Sequence, residues 1–216
     1  MGNEVELNVV ILPEEKIRDV AVDISRKIRE THPTDFVLDG KTKIPHMTVY
    51  QARYPERNVD AVRAYLKTVA ARTSPFEVAL GKFSNWSGYI FWDAEATNEM
   101  THLVKSVVYQ LNPMREGLVR KGVQTGKWDM QQTYEIQNYG TLMVGGSLPP
   151  HVTVSKTTNE RDGQTVVREL RPRIAKFVAA KIFLGTNGEH GTLTEILEEF
   201  PFGGGSPYML RSQNYF

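Results

Sequence analysis

Two short segments of this chain repeat one pattern: Pro45-His46-Met47-Thr48-Val49 and Pro150-His151-Val152-Thr153-Val154. Both are rich in β-branched residues, which favour strands. In a strand, residues i and i+2 point to the same face of the sheet. A histidine and a threonine placed in this way can contact one phosphate group together. The sequence therefore predicts two matched strands, each with a His–Thr pair on one face.

The tripeptide His-x-Thr by itself is not specific, because four of the five histidines match it: His32, His46, His151 and His190. Pro33 follows His32, which excludes a regular central strand there. His190 lies in a glycine-rich turn. Only His46 and His151 have a proline before them and a valine after the threonine. The shared context, rather than the tripeptide, selects these two histidines.

The elements around the two segments follow one order in both halves of the chain: helix, histidine strand, helix, strand, turn, strand. Apolar residues at helical spacing predict helices at 13–28, 58–69, 98–111 and 166–170. Alternating residues or apolar runs predict strands at 5–11, 44–50, 76–80, 89–92, 150–155, 177–184 and 192–200. We therefore expect one α+β domain over residues 1–216. It would be bilobal, with two pseudo-symmetric lobes of mainly antiparallel sheet and flanking helices around a central cleft.

The doubled pattern resembles the hallmark of the 2H phosphoesterases, a group that includes 2'-5' RNA ligase-like proteins and cyclic nucleotide phosphodiesterases. The segments 46–49 and 151–154 match its two His-x-Thr/Ser motifs residue by residue. The resemblance implies that residues 46, 48, 151 and 153 are catalytic. The two histidines are 105 positions apart, which is a long interval. This length predicts an insertion at 122–147, and we expect that insertion to form a flap over the cleft.

The chemistry of a phosphodiester explains why these residue types suit it. One proton is taken from the nucleophile and another is given to the leaving oxygen, and histidine, with a pKa of about 6.5, does either near neutral pH. Thr48 and Thr153 can donate hydrogen bonds to the non-bridging oxygens. We therefore predict a metal-independent phosphoesterase without a cofactor. Its substrates would be 2',3'-cyclic phosphates or 2'-5' linkages in small RNAs or nucleotides.

Other functions fit the same motifs. The two histidines could hydrolyse cyclic or oligomeric signalling nucleotides, or the cleft could bind RNA or nucleotides without turnover. Both histidines could also be buried residues with only structural hydrogen bonds. A metal-dependent hydrolase is disfavoured, because neither motif contains an Asp or Glu and no third ligand is close in sequence.

Further candidates flank the motifs. Tyr50 and Ser155 lie four positions after the histidines, so a regular strand would point both to the side of the histidines, where they could line the cleft or simply finish the strand. Lys156 could neutralise a phosphate, although strand alternation would direct it to the opposite face unless the strand has ended. Three aromatic residues of the predicted hairpin could stack on a base or form core: Trp86, Tyr89 and Trp92. Arginine and lysine clusters at 102–128 and 165–185 could steer a phosphate-bearing ligand.

Composition narrows the class of protein. The formal net charge of +1 does not indicate a general polyanion-binding surface, and the absence of cysteine excludes disulfides and thiolate chemistry. No apolar run approaches the roughly 18 residues of a membrane span. The N-terminus lacks the pattern of a secretion signal. We expect a cytoplasmic monomer with no membrane contact and a flexible tail at 203–216.

Overall fold

The structure of the protein, a computed structural model, describes residues 2–142, 144 and 148–204. The predicted tail lies outside the described residues from position 205 onward. Four residues of the predicted insertion, 143 and 145–147, also lie outside them.

The described residues contain nine strands and five α-helices. The strands are β1 (Glu4–Ile11), β2 (Thr34–Val37), β3 (Met47–Pro55), β4 (Phe76–Trp86), β5 (Tyr89–Ala94), β6 (His151–Thr157), β7 (Ala175–Ala179), β8 (Lys181–Asn187) and β9 (Leu193–Pro201). The helices are α1 (Glu15–Thr31), α2 (Val59–Arg72), α3 (Asn98–Met114), α4 (Met130–Tyr139) and α5 (Glu160–Glu169).

The nine strands form one antiparallel sheet with two halves. Its order is β7-β4-β5-β6-β3-β1-β8-β9, and β2 pairs additionally with β6. The halves β7-β4-β5-β6 and β3-β1-β8-β9 meet at one residue pair, Met47 with Val152. The two histidine strands are therefore the central strands of a bilobal, curled sheet. This confirms the predicted α+β class with mainly antiparallel sheet.

Two helices cross from their own half of the sheet to the other. Helix α1 follows β1 but packs on β2 and β6, and helix α3 follows β5 but packs on β3. The buried face of α1 has the spacing of one helical stripe: Ile17, Ala21, Ile24 and Ile28. Because each half is covered by a helix that enters from the other, the halves share one hydrophobic core.

Each histidine strand contains a β-bulge directly after its threonine. Thr48 pairs with Val10 and Tyr50 with Val9, so Val49 is the extra residue in β3. In β6, Thr153 and Ser155 pair with consecutive residues of β5, and Val154 is the extra residue. An extra residue reverses the alternation of side chains beyond it. The fifth residue after each histidine, and not the fourth, therefore returns to the face of the histidine.

Three predicted elements differ from the structure. The apolar run 177–184 is not one strand but two, because the chain leaves β7 at Ala179 and enters β8 at Lys181 to pair with different partners. The segment between α1 and the first histidine, for which no strand was predicted, contains the short strand β2. The predicted insertion contains helix α4, which begins at the capping box of Asp129 and Gln132 and ends at Gly140 in a left-handed conformation.

The end of α4 packs against the chain that follows α3. Arg115 donates hydrogen bonds to the carbonyl oxygens of Leu118, Gln137 and Asn138 at 2.8 to 3.0 Å. Gly140 has a φ of 71°, and a Cβ atom there would lie 2.7 Å from the Leu118 carbonyl oxygen. Gly140 therefore satisfies two constraints, a left-handed backbone and a close backbone approach.

Comparing Gly140→Ala with the control Gly117→Ala separates the effect of the left-handed backbone from the effect of the close approach. Gly117 has a φ of 80°, but no atom lies within 4 Å of the Cβ position there. Both alanine variants should lose about 1–2 kcal/mol of unfolding free energy from the left-handed backbone. Gly140→Ala should lose about 1 kcal/mol or more in addition, because the carbonyl of Leu118 must move. Urea denaturation measures both, and equal losses would contradict the packing described here.

Candidate active site

A cleft of about 2350 Å³ opens beside the junction of the two halves. Its walls include His46 and Thr48 from one half and His151 and Thr153 from the other. Pockets for single small ligands usually enclose about 300–1,000 Å³. The cleft is therefore large enough for more than one phosphate and its sugar.

The strand pairing at the junction brings the four predicted catalytic side chains together. Met47 and Val152 form the pair between β3 and β6, and both are buried. In an antiparallel register the next residues on either side face each other, so His46 lies opposite Thr153 and Thr48 lies opposite His151. Because the neighbours of a buried residue point to the other face, all four side chains point into the cleft.

Both imidazoles make the same hydrogen bond. Nδ1 of His46 lies 2.8 Å from the carbonyl oxygen of Ile44, and Nδ1 of His151 lies 2.8 Å from that of Pro149. A carbonyl only accepts hydrogen bonds, so each Nδ1 carries the proton and donates it. The Nε2 atom of the neutral ring then carries the lone pair. Each histidine thus presents a proton acceptor to the cleft.

The surroundings of His46 favour its neutral form. Only 9% of the residue is exposed, and burial lowers the pKa of His46 to about 4. The charge of His151 acts in the same direction, while the hydrogen bond to Ile44 opposes it. The amide Nδ2 of Asn8, a fully buried residue of β1, lies 3.4 Å from His46 Nε2 and 3.4 Å from Thr48 Oγ1. His46 therefore has an amide rather than a carboxylate beside it.

The surroundings of His151 are different. Its ring stacks on Phe91 with 3.9 Å between ring centroids. Burial lowers the pKa of His151, but the carbonyl of Pro149 and the carboxylate of Asp93 raise it. Asp93 is the cross-strand partner of His151 in β5, and Ser84 donates a 2.8 Å hydrogen bond to it. One histidine of the pair thus has a carboxylate nearby that stabilises its protonated form.

The bulges overturn the expectation for Ser155 and change that for Tyr50. Ser155 is fully buried and does not line the cleft. Tyr50 touches the cleft, but its hydroxyl donates to Asn112 and to the carbonyl oxygen of Tyr139 at 3.1 and 2.9 Å, which links β3 to α3 and α4. The residues that follow them, Gln51 after Tyr50 in β3 and Lys156 after Ser155 in β6, line the cleft instead. The prediction that Lys156 faces away is therefore wrong.

The aromatic candidates of the hairpin divide into two groups. Trp92 is core, and its indole nitrogen donates to the carbonyl oxygen of Arg173 at 2.9 Å. Trp86 and Tyr89 line the cleft, with ring centroids 6.2 Å apart. Strand alternation explains this division, because Trp92 lies three positions after Tyr89 and an odd offset places two side chains on opposite faces of a strand. Only two of the three are available to a ligand.

Part of the predicted insertion forms one wall of the cleft, together with the basic residues expected to attract phosphate. Trp128, Tyr139 and Leu142 lie in this wall. The lysine and arginine side chains that line the cleft are Arg53, Lys105, Arg120, Lys121, Lys127 and Lys156. That the insertion acts as a flap over the substrate stays a prediction.

Within residues 2–142, 144 and 148–204, no three histidine, aspartate or glutamate side chains gather closely enough to hold a metal ion. In the same part of the chain, none of the helices has the length and apolar character needed to cross a bilayer.

A two-lobed antiparallel sheet with one His–Thr pair from each lobe in a shared cleft is the arrangement expected above for the 2H phosphoesterases. Residues 26–189 match the 2'-5' RNA ligase superfamily, and the chain belongs to this superfamily. The resemblance inferred from the motifs is thereby confirmed. No curated protein matches the chain.

Solved structures share the fold at low sequence identity. TT0787 of Thermus thermophilus is 17% identical with a TM-score of 0.59, over 94% of this chain and all of that one. E. coli LigT complexed with 3'-AMP is 11% identical with a TM-score of 0.59, over 93% of this chain and 99% of LigT. LigT complexed with NADP+ is 12% identical with a TM-score of 0.55 and the same coverage. These likenesses concern the fold.

The corrected roles of Tyr50 and Ser155 lead to opposite expectations for stability. Tyr50→Phe removes the hydroxyl that links β3 to α3 and α4, so the unfolding free energy should fall by about 1–2 kcal/mol. Ser155→Ala removes a buried hydroxyl that has no hydrogen-bond partner among the described residues, so stability should stay the same or rise. Thermal and urea unfolding measure both. A neutral Tyr50→Phe together with a destabilising Ser155→Ala would contradict these assignments.

Proposed function

We propose that this protein is a metal-independent phosphoesterase that opens 2',3'-cyclic phosphates or cleaves 2'-5' linkages of RNA or nucleotides. One observation carries the proposal: two imidazoles with the same Nδ1–carbonyl hydrogen bond present Nε2 to one cleft, each opposite a threonine. Membership of the superfamily supports a phosphoesterase-type reaction. The complexes of E. coli LigT with 3'-AMP and with phosphate are compatible with a nucleotide substrate.

The reaction needs two proton transfers at opposite sides of one phosphorus atom. Water attacks the phosphorus of the cyclic phosphate, and its proton passes to the Nε2 atom of one neutral histidine. The bond from phosphorus to O2' or O3' breaks, and the other histidine, protonated on Nε2, gives its proton to that oxygen. The product is a ribose phosphate monoester with a free hydroxyl. Exchange with solvent then restores both imidazoles.

The electrostatic difference between the histidines supports a different role for each. His46 is the base, because burial holds its pKa at about 4 and it is therefore neutral near pH 7. His151 is the acid: burial lowers its pKa, but the carboxylate of Asp93, which has no counterpart beside His46, favours its imidazolium form. Two general acid–base contributions of about 10² to 10⁴ each are available from such a pair.

The threonines hold the non-bridging oxygens as negative charge develops on them. Thr48 Oγ1 accepts a hydrogen bond from Asn8 Nδ2 at 3.4 Å, which leaves its own hydroxyl hydrogen free to donate. Thr153 takes the corresponding place in the other lobe. Such a donor typically contributes a factor of about 10² to 10³ to kcat.

The test of the proposed function is turnover in the presence of EDTA. The substrates are 2',3'-cyclic mononucleotides and dinucleotides with 2'-5' or 3'-5' linkages. His46→Ala and His151→Ala should each lower kcat by about 10² to 10⁴ without unfolding the protein. His32→Ala is the matched control, since His32 also belongs to a His-x-Thr tripeptide but does not line the cleft.

Three outcomes would overturn the proposal. Full activity in either cleft-histidine variant would remove the two-histidine mechanism. Loss of wild-type activity in EDTA would indicate a metal-dependent hydrolase. Binding of cyclic nucleotides without turnover would favour a non-catalytic nucleotide-binding module of the same fold.

The assigned roles also predict a pH profile for kcat/KM. The profile should be bell-shaped, with an acid limb near pH 4 from His46 and an alkaline limb below the usual pKa of histidine from His151. Asp93→Asn removes the charge that stabilises protonated His151, so the alkaline limb should move to lower pH while the acid limb stays. Glu95→Gln, an exposed carboxylate just beyond β5, is the control. A shift of the acid limb alone would instead mean that His151 is the base and His46 is the acid.

A further inference from the structure

Two carboxamide side chains at one end of the cleft have buried polar atoms without hydrogen-bond partners. They are Gln51, through Oε1, and Asn187, through both Oδ1 and Nδ2. No partner for these atoms occurs among the residues that the structure describes. Both side chains line the cleft. An unpaired buried polar atom destabilises a protein, so three such atoms at one place call for a partner.

The fold directs these amides into the cleft beside the catalytic residues. The bulge at Val49 turns Gln51 to the face of His46, and Gln51 pairs across the strands with Asn8, which contacts His46. Asn187 ends β8 at the turn to β9. In the same turn, a Cβ atom on Gly191 would lie 3.6 Å from Gln51 Oε1. The two amides thus belong to one end of the cleft.

An aromatic face lies at the same end. The Lys156 ammonium, placed by the matching bulge in β6, is 5.3 Å from the centroid of the Tyr89 ring. Lys156 forms an ion pair with Asp35, and His190 Nε2 lies 3.9 Å from the same carboxylate. These contacts connect Tyr89 to the turn that contains Asn187. Flat aromatic rings next to amide groups are the elements from which proteins build sites for unpaired bases.

We propose that this end of the cleft is a nucleobase-recognition subsite, in which Gln51 and Asn187 contact the edge of the base and Tyr89 stacks on its face. The inference rests on the proposed function, because it assumes a nucleotide whose phosphate lies at the histidine pair. A carboxamide offers one donor and one acceptor, and adenine N6 and N7 form the simplest matching edge. The protein would then select its nucleotide substrates by their base and would not accept every cyclic phosphate equally.

Equilibrium binding of unreactive product-like ligands tests the subsite without turnover. The ligands are the four nucleoside 3'-monophosphates and ribose 3-phosphate, titrated into wild-type protein, Gln51→Ala and Asn187→Ala. At least one nucleotide, with adenosine expected first, should bind the wild type about tenfold or more tighter than ribose phosphate. Each variant should remove most of this difference and leave ribose phosphate binding unchanged.

Gln124→Ala is the control, because its amide already donates to the Val119 carbonyl oxygen at 3.0 Å and it does not line the cleft. Asn187→Leu keeps nearly the size of the side chain and removes its polar atoms without adding a charge, so it replaces Asn187→Ala if that variant does not fold. Equal binding of all nucleotides and ribose phosphate would overturn the subsite. An equal loss for nucleotides and ribose phosphate in the variants would also overturn it. The binding measurement needs no turnover. The base-recognition subsite and the proposed enzyme activity can therefore fail independently, the first in this titration and the second in the assay with EDTA.

Discussion

The carbonyl oxygens of Ile44 and Pro149 each accept a hydrogen bond from the histidine two residues later, and the cleft depends on these two bonds. They fix the rotation of both rings and the position of the proton on each. They also require a backbone conformation that turns a carbonyl oxygen towards the side chain two residues later. A proline stands between carbonyl and histidine in both copies, with its φ restricted by the ring. Without these bonds, neither Nε2 would have a defined role.

The rest of the fold keeps the two histidines close but in unlike surroundings. The junction pair Met47–Val152 places each histidine opposite the threonine of the other half, and the crossed helices hold the halves in one core. The strands beside the motifs then break the symmetry. One contributes the Asn8 amide and the other contributes the Asp93 carboxylate. A pseudo-symmetric scaffold thereby gives unlike surroundings to the proposed base and the proposed acid, which a perfectly symmetric site could not distinguish.

The sequence predicted what depends on local pattern, namely the matched strands, the helical faces and the four side chains of the motifs. It could not reveal Asn8 or Asp93, because both meet their histidines only through the fold. Asn8 lies 38 positions before His46, and Asp93 lies in β5 whereas its partner His151 lies in β6. The bulges were invisible too, since a valine after a threonine looks like ordinary strand. The extra residue in β6, Val154, is why the orientations predicted for Ser155 and Lys156 were wrong. Helix α4 was missed because its polar composition gives a weak apolar stripe, and its capping box at Asp129 was the usable signal.

The most direct test of this account is ¹⁵N NMR of the histidine rings, with His46 and His151 assigned through single substitutions. At neutral pH both rings should be the neutral tautomer with the proton on Nδ1, whereas histidine in water prefers the proton on Nε2. On acidification His46 should resist protonation until about pH 4. A ring with its proton on Nε2 at either position would contradict the shared hydrogen-bond arrangement and the catalytic roles derived from it.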